Sequence, residues 1–130
     1  MKDVSDITVC VIDRGTFFPV AERMARDCHK VYYHKPNGED FPTFAQSMRG
    51  DGNPGVHMLK HYWPIKHEID LFMFPDCRDA DLQWELAGQG FPVWGGRYAI
   101  DQENKRGAWL DTCEAIGLPM PDTNDRDWET

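Results

Sequence analysis

No apolar run in this sequence approaches the roughly 20 residues that a helix needs to cross a bilayer. The first residues, MKDVSD, are too polar for a secretion signal. Neither membrane insertion nor export is expected, and a cytoplasmic protein is. Cysteine is sparse: Cys10, Cys28, Cys77 and Cys113 lie far apart with no C-x-x-C pair, so they read as reduced thiols rather than a disulfide framework. Positive charge is also in short supply. Fourteen Lys plus Arg against 22 Asp plus Glu leave a net charge of -8, a field that repels nucleic acid and anionic lipid. One small anion stays open as a ligand, because a local basic spot suffices to hold it. The dinucleotide fingerprint G-x-G-x-x-G, the phosphate loop G-x-x-x-x-G-K-[ST] and the zinc motif H-E-x-x-H are all missing. There is no internal repeat and no low-complexity tract.

What is present suits one folded domain. The 130 residues are 41% hydrophobic and include five Trp, four Tyr and seven Phe, which argues against disorder. Ile7 to Ile12, ITVCVI, is a β-branched run that suits a strand covered on both faces of a parallel sheet. After Asp13 to Thr16, the residues Phe17, Ala21, Met24, Ala25 and Cys28 recur at helical spacing, and KVYYH, Lys30 to His34, supplies a second strand. This is one βαβ unit. Pro36 to Gly55 reads as a long loop with one turn of helix around Phe44 to Met48. IDLFMFPD, Ile69 to Asp76, is the third strand. A short helix follows over Ala80 to Ala87, closed by Gly88 or Gly90. FPVWGG, Phe91 to Gly96, is the fourth strand, and a helix from about Gln102 to Ile116 ends at Gly117. The expected fold is α/β: a Rossmann-like open parallel sheet of about four strands with helices on both faces.

In such sheets ligands sit at the carboxyl ends of the strands. That rule selects the loops Asp13 to Thr16, Pro75 to Asp79 and Gly95 to Tyr98. The first, Asp13-Arg14-Gly15-Thr16, offers a glycine turn and N–H groups at a helix start, which suit an anion or else form a plain strand-to-helix turn. In the second, Asp76 can accept ligand hydroxyl or amine protons and Arg78 can pair with a phosphate or carboxylate. Alternatively Arg78 and Asp79 are solvated charges at a helix start. Cys77 reads as a buried or semi-buried thiol rather than a nucleophile. His57 and His61 would share one face of a helix, with His67 as a third ligand, but Pro54, Gly55 and Pro64 leave room for barely two turns. No metal site is expected. Trp94, Tyr98 and Trp128 are either an interface to further chain or satellite packing.

The order DLFMFPD, GQGFPVWGG, AIDQENKR and AIGLPMPDT resembles the N-terminal, pre-ATP-grasp domain of ATP-grasp ligases, with closest similarity to phosphoribosylamine-glycine ligase. The similarity is tightest over Ile69 to Thr123. In that family a strand ending in a Pro-Glu loop matches Phe74-Pro75-Asp76, and a strand ending Val-Phe-Gly matches Val93-Trp94-Gly95. The family's basic residue that reaches ATP falls on Lys105 or Arg106, with Glu103 as the preceding acid. The Gly-Leu-Pro-x-Pro turn, Gly117 to Pro121, is the exit toward the ATP-grasp part. The resemblance implies a substrate-binding domain, residues 1-123, of an ATP-dependent carboxylate-amine ligase. It implies Asp13, Arg14, Gly15, Thr16, Asp76 and Arg78 as substrate contacts and a phosphorylated or carboxylate metabolite as the small-molecule substrate. It assigns no catalytic residue to this stretch. ATP and Mg2+ belong to the full-length ligase. Residues 124-130 are then an acidic tail or the start of a linker to a missing ATP-grasp domain. The alternative is a stand-alone small-ligand or protein-binding module. A phosphoacceptor domain, with Asp13 and Asp76 at strand ends, is a third option, disfavoured by the strand count and the lack of a Lys at a late strand end.

Overall fold

The computed structural model describes residues 2–36 and 54–119. The expected helical turn around Phe44 to Met48, the residues after Pro119 and Trp128 lie outside them. Strand β1, Thr8–Ile12, is buried along all but its first residue, and its alternation sends Val9 and Val11 to one face and Cys10 and Ile12 to the other. Both faces find a cover. Helix α1, Phe18–Met24, opens with Pro19 in its first turn, where a missing N–H costs no hydrogen bond, and buries Phe18 and Ala21 against Val9, Val11, Val31 and Tyr33. Past Met24 it relaxes into turns, with the Cys28 N–H still bonded to the Met24 carbonyl, so the expected helix to Cys28 ends early.

Strand β2, Lys30–His34, pairs in parallel with β1. Strand β3, Val56–Leu59, pairs in parallel with β2, from Val31 beside Val56 to His34 beside Leu59. Strand β4, Leu71–Met73, lies on the other side of β1 and is shorter than its apolar run. Helix α2, Ala80–Gly88, follows, and Gly90 at φ 88° ends it. Strand β5, Val93–Trp94, is the outer strand beside β4. The sheet order is β3-β2-β1-β4-β5, all parallel, and α1 and α2 cover opposite faces. This is a Rossmann-like α/β fold.

Two expectations need correction. Among the described residues the sheet has five strands rather than about four, because Val56–Leu59, which the sequence does not mark as a strand, is one. It has no β-branched run of its own and only Val56 is buried, so pairing with β2 makes it a strand rather than local propensity. The final helix is also two helices: α3, Arg97–Asn104, and α4, Arg106–Ala115, break at Lys105, whose φ of -102° and ψ of 80° leave the helical region. Helix α3 therefore begins inside the expected loop Gly95 to Tyr98. Gly117, at φ 74°, takes the left-handed position that stops α4. The described residues contain no helix long and apolar enough to cross a membrane.

Candidate functional site

Chain order runs outward from β1 to β3 and then jumps back to β4, so the switch point lies between β1 and β4. Their carboxyl ends carry the loops holding Asp13 to Thr16 and Asp76 to Asp79.

In the first loop Asp13 turns inward. Only 1% of it is exposed, and its Oδ2 accepts from the Gly15 N–H (3.0 Å), the Phe17 N–H (2.8 Å) and the Tyr33 hydroxyl (2.5 Å). The carboxylate thus uses two of the N–H groups that a bound anion would want. Gly15, at φ 110°, allows the chain to fold back over it. Oδ1 of Asp13 and Nε of Arg14 are buried without hydrogen-bond partners among the described residues. Arg14 crosses the switch point, its Nη2 3.8 Å from Asp79 Oδ1. Asp79 holds a left-handed conformation, φ 58° and ψ 37°, that Asp tolerates better than most residues.

The second loop pairs its own charges. Asp76 accepts from the Cys77 N–H at 2.7 Å, and its Oδ2 lies 3.4 Å from Nε of the half-exposed Arg78. Asp76 and Cys77 face an open groove of about 410 Å³, completed by Phe74, Pro75, Trp94, Gly95, Gly96, Ala99 and Ile100. Of the residues that the sequence selects, Asp76, Cys77, Gly95 and Gly96 come together there, and Arg78 flanks them through Asp76. Asp13 to Thr16 sit at the neighbouring strand end, joined through Arg14 and Asp79. Lys105 and Arg106 are exposed at the break between α3 and α4 and do not line the groove.

Sequence reasoning missed Gln83. This α2 side chain is fully buried, and it donates from Nε2 to the Arg78 carbonyl (3.0 Å) while Oε1 accepts from the Arg97 N–H (3.1 Å). The buried residues of α2 are Ala80, Gln83 and Leu86, spaced by three. A polar residue on an apolar stripe, followed by a Gly-Gly pair, was the available signal.

The histidines do not assemble as a helix would place them. His57 lies in β3, with its ring tilted against Tyr32 (centroids 5.9 Å apart), and His61 lies in the irregular stretch just past it. Among the described residues no group of three His, Cys, Asp or Glu stands close enough to hold a metal ion. Cys10 is buried, which pushes its thiol up to about 12.

His34, at the end of β2, donates from Nδ1 to the Leu59 carbonyl (3.1 Å) and meets the Tyr62 ring edge-on. Burial lowers its pKa below the ordinary 6.5, aided by His61 and opposed by the Leu59 carbonyl and Asp79. The unfolded chain therefore binds the proton first. Stability is expected to hold above about pH 6.5 and to fall as the pH drops below it, until folded His34 is itself protonated, at no more than about 1.4 kcal/mol per pH unit. Urea midpoints measured between pH 7.5 and 5 check this. His34→Gln should flatten the slope, and an unaltered slope would assign it to other groups.

Comparison with protein-family models, with curated proteins and with solved structures finds no match to the chain.

Proposed function

We propose that this chain is the small-ligand-binding domain of an ATP-dependent carboxylate-amine ligase, with its ligand seated in the groove at the carboxyl ends of β4 and β5. One observation carries the reading. Phe74-Pro75-Asp76 and Trp94-Gly95, the two stretches that the motif order singles out, are separated by the whole of α2 and yet line the same groove. Its walls are largely apolar, with Asp76 at one side and the guanidinium of Arg78 beside it. That pairing suits a small metabolite with an apolar or flat body, an amine or hydroxyl for Asp76, and a carboxylate or phosphate for Arg78. The domain's contribution to acyl transfer is to hold and orient the substrate. ATP supplies phosphoryl activation in the full-length ligase. Lys105 or Arg106, both exposed, offers the cationic chemistry that its phosphates need.

A second reading, binding without phosphoryl chemistry, is favoured by Asp13. Its carboxylate takes the Gly15 and Phe17 N–H groups, which leaves the β1 loop poorly suited to a phosphate.

Thermal stabilisation by a panel of amino acids, small carboxylates, sugar phosphates and ATP separates the two. A ligand at 100 times its Kd adds about 2.7 kcal/mol to stability. The proposal expects such a gain from a carboxylate or phosphorylated metabolite, removed by Asp76→Asn, and, in the full-length protein, loss of ATP affinity in the double variant Lys105→Ala, Arg106→Ala. Metabolite binding that shows no ATP dependence in the full-length protein would favour the second reading. Unchanged ATP affinity in the double variant would sink the ATP-wall assignment.

A further inference from the structure

The two walls of the groove meet behind it at a single side chain. Arg78, whose carbonyl accepts from Gln83, belongs to the loop that carries Asp76 and Cys77. Arg97, whose N–H donates to Gln83, directly follows Gly95 and Gly96. Gln83 is fully buried between them, and a Cβ placed on Gly95 would lie 2.2 Å from its Oε1. We infer that Gln83 is a positioning residue: it fixes the separation of the β4–α2 and β5–α3 loops and so the width of ligand that the groove admits. The consequence for specificity rests on the groove being the ligand site. The bracing itself does not.

The chemistry of the brace explains the residue type. One end must donate, to a carbonyl, and the other must accept, from an N–H, over the length of one side chain. A carboxamide does both. Leucine, of similar volume, does neither. Glutamate does both only when protonated, with its O–H given to the Arg78 carbonyl and its carbonyl oxygen receiving the Arg97 N–H. Once ionised it sets an acceptor against an acceptor at Arg78, and the loop there is pushed away. Burial raises the pKa of such a carboxyl above its ordinary value, which brings the transition toward the neutral range.

Gln83→Glu therefore makes the groove pH-dependent, and this can be read without any ligand. Bimane attached to Cys77, in a Cys28→Ser background where Cys10 and Cys113 are buried, should be quenched by Trp94, which lines the same groove. Trp94→Phe identifies the part of the quenching due to that ring. In Gln83→Glu the quenching is expected to match the parent in acid and to depart from it as the introduced carboxyl ionises. Over the same range the Arg97 amide should exchange with solvent about tenfold faster, the ratio that about 1.4 kcal/mol corresponds to. Gln83→Leu should show the altered quenching at every pH. A folded Gln83→Glu whose quenching and Arg97 exchange track the parent across the whole range would overturn the inference and reduce Gln83 to core filler, even if Gln83→Leu fails to fold. Failure of every ligand in the binding panel would leave these readouts untouched, so the two claims fail separately.

Discussion

Asp13→Ala is expected to remove about 3–5 kcal/mol of stability, because it leaves several buried donors without their acceptor at about 1–3 kcal/mol each. Three donors converge on one carboxylate oxygen: the N–H groups of Gly15 and Phe17 and the hydroxyl of Tyr33. Alanine strands them, and a buried donor without an acceptor costs about 1–3 kcal/mol. The loss falls where α1 leaves the sheet, so the turn and the first helix loosen together. Asp13→Asn should be far milder, at about 1 kcal/mol. Its amide oxygen can still accept from all three donors. Its NH2 takes the place of Oδ1, which has no partner to lose among the described residues, and the buried charge is gone. Chemical denaturation of the pair checks this ordering. A loss under about 1 kcal/mol for Asp13→Ala would mean that the loop is organised by something else.

Gly95→Ala is the second large effect. A methyl group there meets Gln83 Oε1 at 2.2 Å and Cδ at 2.7 Å, with Phe74 Cβ at 3.1 Å behind them. Gln83 is held at both ends and cannot step aside without releasing Arg78 or Arg97. The expected cost lies at the upper end of the about 1–3 kcal/mol typical of overpacking. Gly88, in the same region, has nothing within 4 Å of a built Cβ, so Gly88→Ala is expected to be neutral or slightly stabilising. A double-mutant cycle locates the clash: in a Gln83→Ala background Gly95→Ala should cost less, with a coupling of about 0.5–3 kcal/mol. Additive losses would place the strain elsewhere.

Much of the fold is legible in the sequence because its central strands are apolar enough to report their own burial. ITVCVI and KVYYH lie in the middle of the sheet, and their β-branched and aromatic residues fit a pleated surface covered on both sides. Gly117 stops its helix where the sequence places it, because a left-handed turn strongly favours glycine. Edge elements are harder. Val56–Leu59 becomes a strand by pairing with β2, and V-H-M-L, with one β-branched residue, does not announce that. The break at Lys105 also has no local breaker, since Gly107 comes after it and no proline stands near.

The candidate site divides along the same line. The strand-end rule finds the loops, because topology alone puts Asp76, Cys77, Gly95 and Gly96 at one edge. It does not say which way a side chain turns. Asp13 looks like a ligand contact in the sequence, but its carboxylate faces Tyr33, a partner 20 residues away that only the β1–β2 register supplies. Gln83 sits on the apolar stripe of its helix, but its two backbone partners, the Arg78 carbonyl and the Arg97 N–H, are set by packing that the sequence does not state.

The central claim is that the groove at the ends of β4 and β5 is a small-ligand site. The most direct test is an amide chemical-shift map of the labelled chain titrated with amino acids, small carboxylates and sugar phosphates. The account predicts saturable shifts clustered at Asp76, Cys77, Gly95, Gly96 and Ala99, spreading to Arg97 through Gln83. Shifts that cluster elsewhere and leave those amides unmoved, or no perturbation by any member of the panel, would contradict it.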